Sequence, residues 1–125
     1  MKRTLIALSV AVLLAGCGNS SSKAKDNGAV TTEGAGSAQT ATVGMTDKLQ
    51  FAPTTVNAKV GTVTLNVQNE GQTPHNLTFD DPALGKTKTV SGKQTQSLKV
   101  VFDKAGTYTF VCTFHSGMNG KVVVS

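Results

Sequence analysis

The residues of this chain that can do chemistry lie mainly in one short segment. Residues 112–118 read Cys-Thr-Phe-His-Ser-Gly-Met, which spaces Cys112, His115 and Met118 as C-x2-H-x2-M. The chain has only one other histidine, His75. Thiolate, imidazole and thioether groups are soft or borderline ligands that suit transition metals. These four side chains are therefore the candidate ligands of one metal ion.

The types of these ligands favour copper. Two histidines and one cysteine in a trigonal site, with a weak axial methionine, make the arrangement that blue copper proteins use for electron transfer. The imidazoles suit both Cu(II) and Cu(I), and the soft thioether favours Cu(I). A site that holds one compromise geometry changes little when an electron arrives, so transfer is fast. We expect one copper ion per domain. A tetrahedral zinc ion on His75, Cys112 and His115 is the chemical alternative.

The first residues have the pattern of an export signal. Lys2 and Arg3 precede an apolar run over residues 5–14, which is typical of a secretory signal peptide and too short for a permanent membrane span. The following Leu-Ala-Gly-Cys resembles a bacterial lipobox, whose cysteine is lipidated. We therefore expect residues 1–16 to be removed and Cys17 to be lipidated. The protein would be anchored to the outer face of the cell membrane or in the periplasm.

The use of cysteine supports the metal-site interpretation. Exported proteins usually pair their cysteines in disulfides. With Cys17 taken by lipid, Cys112 has no partner in the sequence. An unpaired cysteine in an oxidising compartment is a reactive thiol, a buried inert residue or a metal ligand. Taken alone, Cys112 would more often be buried and inert, but its spacing from the histidine and methionine favours the ligand.

The segment after the lipobox has the composition of a flexible tether. Residues 17–38 are rich in Gly, Ser and Lys and have almost no large apolar side chain, so they cannot bury enough surface to offset their ordering entropy. Residues 39–125 then form the one folded domain that the length allows. This domain has eight lysines and five acidic residues without a basic cluster, and the whole chain has one tyrosine and no tryptophan. Nucleic-acid binding therefore has little support.

Residues 39–125 contain short runs in which apolar and polar residues alternate. Residues 63–67 alternate strictly, and residues 98–102 and 108–112 follow the same pattern except at Val101 and Val111. Period-two patterning with frequent turn residues predicts an all-β Greek-key β-sandwich or barrel with antiparallel strands. At most one helical turn is expected, around residues 82–85.

The predicted sandwich would bring the candidate ligands together. Cys112 ends one strand, and His115 and Met118 follow it in a tight loop. His75 begins a separate strand over residues 75–79. Three ligands from one loop and one from a neighbouring strand can then meet at one end of the sandwich.

Three motifs of this domain resemble the cupredoxin family of blue copper proteins, and most of all its amicyanin branch. They are Pro-His-Asn at 74–76, Ala-Gly-Thr-Tyr at 105–108, and the C-x2-H-x2-M motif followed by Gly-Lys-Val-Val-Val at 120–124. The run around residues 103–108 also resembles the tyrosine corner of Greek-key sandwiches. The resemblance covers most of the predicted domain and implies a cupredoxin fold with one copper ion.

The resemblance also implies a role for individual residues. His75, Cys112 and His115 would be the strong copper ligands, and Met118 the axial one. The side chain of Asn76 would make hydrogen bonds that clamp the two ligand loops together and that often reach the thiolate.

The chain departs from the amicyanin branch beside the second histidine. Amicyanins have proline on both sides, where this chain has Phe114 and Ser116. Phe114 has a backbone N–H that proline lacks. We therefore expect this amide to donate a hydrogen bond to the sulfur of Cys112 and to raise the reduction potential.

In this family the second histidine exposes one ring edge within an apolar patch, which would serve here for partner docking. The patch would comprise Pro74, Phe114, His115, Gly117 and Met118. A small apolar surface suits transient redox partners. The expected protein is a monomer that accepts an electron from one partner protein and passes it to another.

Two other functions compete with electron transfer. Copper enzymes of the multicopper oxidase or nitrite reductase kind need a second copper site with further histidines, which this chain lacks. We therefore expect no enzyme activity. Copper trafficking or storage is the alternative function, although the Met-rich or His-rich tract that it usually needs is missing from the sequence.

Overall fold

The structure is a computed structural model that describes residues 29–34 and 39–125. The predicted signal peptide, Cys17 and residues 18–28 and 35–38 of the predicted tether lie outside these residues. Within them the chain forms one 3₁₀ turn, Pro82–Leu84, which agrees with the single helical turn expected there. The strands are β1 (Ala29–Thr31), β2 (Gln39–Thr46), β3 (Gln50–Ala52), β4 (Thr55–Ala58), β5 (Gly61–Asn69), β6 (Thr78–Phe79), β7 (Thr95–Phe102), β8 (Gly106–Val111) and β9 (Asn119–Val124).

These strands form two sheets that enclose the core. The order is β1-β4-β9-β8-β6 in one sheet and β3-β2-β5-β7 in the other. The predicted all-β sandwich is therefore confirmed. The prediction of antiparallel pairing was wrong for three pairs, since β1–β4, β4–β9 and β2–β5 are parallel. Period-two patterning tells which side chains face inward, but it does not tell the direction of the neighbouring strand.

The core is built from alternate residues of each strand. Val63, Leu65 and Val67 of β5 are fully buried, as the alternation predicted. Phe79 and Phe110 meet edge to face with ring centroids 5.7 Å apart, which is a favourable arrangement for aromatic pairs. No helix in the described ranges has the length and apolar character that a membrane crossing requires.

The predicted tyrosine corner is present. The hydroxyl of Tyr108 donates to the carbonyl oxygen of Lys104 at 2.7 Å, and its ring packs against Phe102. This bond fixes the turn that starts β8, the strand that leads to Cys112.

The folded domain begins earlier than the predicted boundary at residue 39. Strand β1 lies within the segment predicted as a tether and pairs with β4. Its half-buried Val30 packs against the core. Glu33 and Thr40 then exchange two backbone hydrogen bonds of 2.8 Å, which turn the chain into β2. This strand could not be predicted from its residues, because an edge strand such as β4 offers unpaired backbone groups to almost any extended segment.

The strand predicted over residues 75–79 is shorter than expected, since β6 comprises only Thr78 and Phe79. His75 forms an isolated pair with Val90, in which each backbone N–H donates to the other's carbonyl at 3.2 and 2.7 Å. The segment that begins with this ligand is therefore held by a neighbouring loop as well as by the sheet.

Gly120 is the position in β9 where the fold most clearly requires glycine. A Cβ atom there would lie 2.5 Å from the ring of Phe110, which is fully buried, and 2.9 Å from the carbonyl oxygen of Thr54. Neither backbone nor a packed ring can yield easily. We expect Gly120→Ala to lower the free energy of unfolding by about 1–3 kcal/mol, the usual cost of overpacking.

Chemical denaturation of the metal-free protein measures this effect. The matched control is Lys121→Ala, an exposed neighbour on the same strand, for which we expect a change below about 0.5 kcal/mol. Equal losses in the two variants would contradict the packing argument.

Candidate metal centre

Three of the four predicted ligands converge at one end of the sandwich. The Sγ atom of Cys112 lies 3.8 Å from Nδ1 of His75 and 3.5 Å from Nδ1 of His115. One ligand atom from each of the three residues falls within 4.8 Å of the others. His75 and Cys112 are buried, and His115 is half-buried.

The donor set fits a transition-metal ion. Bonds of about 2.0–2.3 Å to a shared ion in a trigonal arrangement would place the donors about 3.5–4 Å apart. The two sulfur–nitrogen separations agree with this spacing. A thiolate with two imidazoles selects copper or zinc over the harder ions that prefer oxygen ligands. Cys112 is also the free cysteine of the described residues, so no disulfide competes for its sulfur.

The loop from Cys112 to Met118 is closed by its own backbone. The N–H of Cys112 donates to the carbonyl of Met118 at 3.0 Å, and the N–H of Met118 donates to the carbonyl of His115 at 3.3 Å. Gly117 has φ 80°, a left-handed conformation that favours glycine. Met118 is buried within the hydrophobic core. The loop therefore keeps all three of its candidate ligands close together.

The two ligand loops are joined by Asn76. Its Nδ2 donates to Oγ1 of Thr113 at 2.7 Å, and its Oδ1 accepts the backbone N–H of Thr113 at 2.8 Å. Because Asn76 follows His75 and Thr113 follows Cys112, this pair of bonds fixes one ligand relative to the other. The clamp implied by the family resemblance is thus present between these residues.

The expected hydrogen bonds to the sulfur are not formed. Within the described ranges, neither the amide of Phe114 nor the side chain of Asn76 donates to Sγ of Cys112. The next amide of the loop, that of His115, donates to the carbonyl of Cys112 at 3.4 Å instead of to its sulfur. The prediction that Phe114 raises the reduction potential through its amide therefore lacks its structural basis.

Asn69 positions the loop that carries His75, a role that was not predicted from the sequence. Its buried side chain donates to the carbonyls of Thr73 at 2.7 Å and Val90 at 2.9 Å, and accepts the N–H of Gly71 at 3.0 Å. The carbonyl of Val90 also accepts the backbone N–H of His75. Asn69 and His75 therefore share one acceptor. An asparagine at the end of an apolar strand was the available signal.

Asp47 holds the same loop from outside. Its Oδ1 accepts the backbone N–H groups of Gln72 and Thr73, both at 2.9 Å. These bonds lower the pKa of the Asp47 carboxyl because they stabilise its charged form. The carboxylate lies so close to Gly71 that a Cβ atom there would be 2.2 Å from Oδ1. The loop that leads to His75 is thus tied at both of its sides.

The environment of His75 favours the neutral ring. Burial lowers the pKa of His75, and the neighbouring His115 lowers it further, while the backbone of Thr46 and the charge of Asp47 act more weakly in the opposite direction. Its Nε2 is buried and makes no hydrogen bond of standard geometry within the described residues. Neutral imidazole is the form that binds metal. The protein therefore holds this ring in a state suited to a ligand.

The predicted docking residues differ in their exposure. Pro74, Phe114 and Gly117 are exposed, and His115 is half-buried, so these four can form a surface patch. Phe114 is 51% exposed. The assignment of Met118 to this surface was wrong, because Met118 is buried among core side chains.

Comparison with known proteins agrees with this fold. A family model described as a cupredoxin-like domain matches residues 5–124. Amicyanin from Paracoccus denitrificans is 35% identical over 79 residues, which cover 62% of this chain and 60% of the relative. The chain thus spans about three fifths of that relative's length. Plastocyanin from Scenedesmus fuscus is 34% identical over 86 residues, which cover 61% of this chain and 87% of the relative.

Solved structures give the same result. Auracyanin A, described as a "blue" copper protein from Chloroflexus aurantiacus, has a TM-score of 0.63 at 20% identity, and the match covers 70% of this chain and 99% of auracyanin A. At this identity the likeness concerns the fold alone. An oxidised amicyanin variant has a TM-score of 0.53 at 32% identity, covering 67% of this chain and 80% of that one. The chain therefore belongs to the cupredoxin-like family of blue copper proteins.

Proposed function

We propose that this protein carries single electrons on one copper ion held by four residues, His75, Cys112, His115 and Met118. The observation that carries the proposal is the convergence of one thiol and two imidazole nitrogens at trigonal spacing. Electron transfer is the function that the names of the related blue copper proteins suggest. When bound, copper supplies a one-electron couple between Cu(II) and Cu(I).

The role of the protein is to keep the ligands in place when the charge of the metal ion changes. His75 is held as a neutral ring, and the Asn76–Thr113 bonds fix its distance from Cys112. Burial of Cys112 keeps water away from the sulfur. A site that is organised in advance needs little rearrangement when the charge changes, and this favours fast electron transfer over substrate chemistry.

His115 is the proposed point of electron entry and exit. It is the one half-buried member of the three converging ligands, and exposed Phe114 and Gly117 lie close to it in the chain, while exposed Pro74 precedes His75. The ring of Phe114 contacts that of His115 edge to face, with centroids 6.4 Å apart. A small apolar patch of this kind suits partners that dock briefly and dissociate.

Trafficking or storage of copper is the second candidate, and the geometry of the site argues against it. Such proteins hand the ion on, which requires ligands that a recipient can reach. Here His75 and Cys112 are almost completely buried, and both ligand loops are tied by side-chain hydrogen bonds. Retention of the ion is the behaviour that this arrangement favours.

We also propose that the protein is exported and anchored by lipid at Cys17. The support is the charged start, the apolar run over residues 5–14 and the lipobox-like Leu-Ala-Gly-Cys. An acyl anchor with two or more chains holds a protein firmly at a membrane, whereas a single chain holds it only marginally. The electron donor and acceptor would then be reached from the membrane surface.

Repeated redox cycling in the presence of a Cu(I) chelator tests the proposed function. We expect the Cu(II)-loaded protein to have an intense blue thiolate-to-copper band, to lose it on reduction and to regain it fully on reoxidation. Cys112→Ser should lack the band at every stage, because the band requires the thiolate. Visible absorption and copper analysis of the chelator fraction give the readout.

The control for folding is the stability of metal-free Cys112→Ser, which should stay close to that of the parent because serine is similar in shape. Transfer of the copper to the chelator during cycling would favour trafficking. An intense blue band in Cys112→Ser would contradict the assigned ligand set.

Substitution of Asn69 should change the metal site itself, beyond the change that a general loss of stability would cause. Asn69→Ala removes the side chain that shares an acceptor with His75, so we expect a shifted Cu(II) spectrum and faster loss of copper, with a stability loss of about 1–3 kcal/mol. The matched control is Gln39→Ala. Gln39 is equally buried and bonds both backbone groups of Lys59 at 2.9 and 2.7 Å, at the opposite end of the sandwich.

Absorption and electron paramagnetic resonance spectra of the two variants, with their unfolding curves, decide this point. Gln39→Ala should lose comparable stability and keep the parent spectrum. If the spectra of both variants match the parent, Asn69 supports the fold without positioning the ligand.

Phe114 should control docking. Electron self-exchange between two copies of the protein uses the patch around His115, and a carboxylate at this position in both copies would add repulsion to the contact. We expect Phe114→Asp to slow self-exchange about tenfold or more. The control is Val101→Asp, since Val101 is 53% exposed but lies on β7 at the far end of the sandwich. Magnetic resonance line broadening in mixtures of the two oxidation states measures the rate, and equal slowing in both variants would contradict this docking surface.

A further inference from the structure

The direction of β1 decides where the N-terminal segment meets the folded domain. Strand β9 starts directly after Met118 and so runs away from the metal centre. Strand β4 is parallel to β9, and β1 is parallel to β4. Strand β1 therefore also runs away from the metal centre, and its first residue, Ala29, is the one nearest to that end.

The pairing register shows how far this entry point lies from the metal centre along the direction of the strands. Ala29 lies beside Thr55, and Thr55 lies beside Lys121. Lys121 is two residues after the start of β9, which is about 7 Å along the strand. The chain thus enters the fold along the edge of the sheet, within about 7 Å of the level at which β9 leaves the ligand loop.

Strand β2 begins at the opposite end of the sandwich. Gln39 is paired with Val63, near the start of β5, and its side chain bonds Lys59 in the turn before β5. Val63 lies six residues before the last residue of β5, which corresponds to about 20 Å along the strand. Without β1, the N-terminal segment would leave the domain at Gln39, about 20 Å from the end of β5 on the side of the metal centre, compared with about 7 Å for Ala29.

Strand β1 also shortens the connection to the proposed anchor. Residues 17–28 number twelve, whereas residues 17–38 number twenty-two. Pairing of β1 therefore both shortens the tether and moves its attachment to the side of the metal centre.

We propose that β1 turns the metal-binding end of the domain towards the membrane, so that its electron partner is a membrane-embedded protein. This inference rests on the proposed lipid anchor at Cys17. The exposed side chains of this end suit such a location. Phe114 and Leu49 are large, apolar and about half exposed, and Leu49 follows exposed Lys48 in the turn after β2. A basic residue here is attracted by an anionic membrane surface.

The pairing of Val30 offers a way to release β1. The N–H of Thr32 donates to the carbonyl of Asn57 at 2.9 Å, and the two-residue repeat of a strand gives Val30 the same role one step earlier. Val30→Pro removes this donor and the half-buried side chain together. Loss of hydrogen-exchange protection at Thr32 would verify that β1 has been released.

The experiment measures how close the copper ion lies to the membrane. The full-length lipidated protein, loaded with Cu(II), is reconstituted in vesicles of phosphatidylcholine and phosphatidylglycerol that contain a lipid with a nitroxide headgroup. Dipolar relaxation of the nitroxide by Cu(II) falls steeply with distance. We expect strong relaxation enhancement for the parent protein and a severalfold smaller enhancement for Val30→Pro.

Two control variants separate the effect of the entry point, where the chain joins the domain, from the effect of the tether length. Thr31→Ser, an exposed change within β1, should keep the full enhancement. Insertion of ten Gly/Ser residues after Gly28 gives a tether as long as that of Val30→Pro but keeps the entry point at β1. Its relaxation enhancement should therefore fall less than that of Val30→Pro. Equal enhancement in Val30→Pro and the insertion variant would overturn the inference and leave the metal-binding end free to meet soluble partners.

Failure of the proposed function gives a different result in the same experiment. If Cys17→Ser still binds the vesicles, lipid at Cys17 is not the anchor. If the parent protein has no Cu(II) signal after loading, it is not a copper carrier. Either result would reject the proposed function, and with it the orientation. If binding to vesicles requires Cys17 and the Cu(II) signal is present, but Val30→Pro has the same relaxation enhancement as the parent protein, the orientation alone is rejected.

Discussion

The distance between the sulfur of Cys112 and the ring of His75 is the constraint on which the rest of the site depends. The two residues are far apart in sequence and belong to different loops, yet the two hydrogen bonds between Asn76 and Thr113 fix the loops to each other. Bringing a thiol and two imidazoles together in a buried place has a desolvation cost. The backbone bonds of both loops offset that cost before any metal binds.

The sandwich supplies rigid supports for these two loops. One loop connects β8 to β9, which are paired over six residues and packed through Phe110 and Gly120. The other follows β5 and is held by the buried amide of Asn69. Because both loops start from well-packed strands, the ligands would need little rearrangement when the charge of a bound metal ion changes. This is the physical reason why the fold suits a one-electron carrier.

Much of the site could be predicted from the sequence, because ligand chemistry and spacing are local properties. Cys112 and His115 are three residues apart, and the bond of Tyr108 to Lys104 spans four residues. The features that were missed depend on contacts distant in sequence. Parallel pairing of β2 with β5 leaves no trace in an alternating pattern, and the role of Asn69 depends on Val90, a residue from another loop. The hydrogen bond expected from the Phe114 amide failed for a related reason, since loop geometry decides which amide can reach the sulfur.

The proposed function requires the protein to impose one ligand geometry on both oxidation states of the copper ion. X-ray absorption spectroscopy of the copper-loaded protein tests it most directly, because the fine structure gives the type, number and distance of the ligands in Cu(II) and in Cu(I). We expect one short bond to sulfur and two to imidazole nitrogen in both states, with little change in length. Loss of an imidazole or of the sulfur on reduction, or a water oxygen bound to Cu(II), would contradict it.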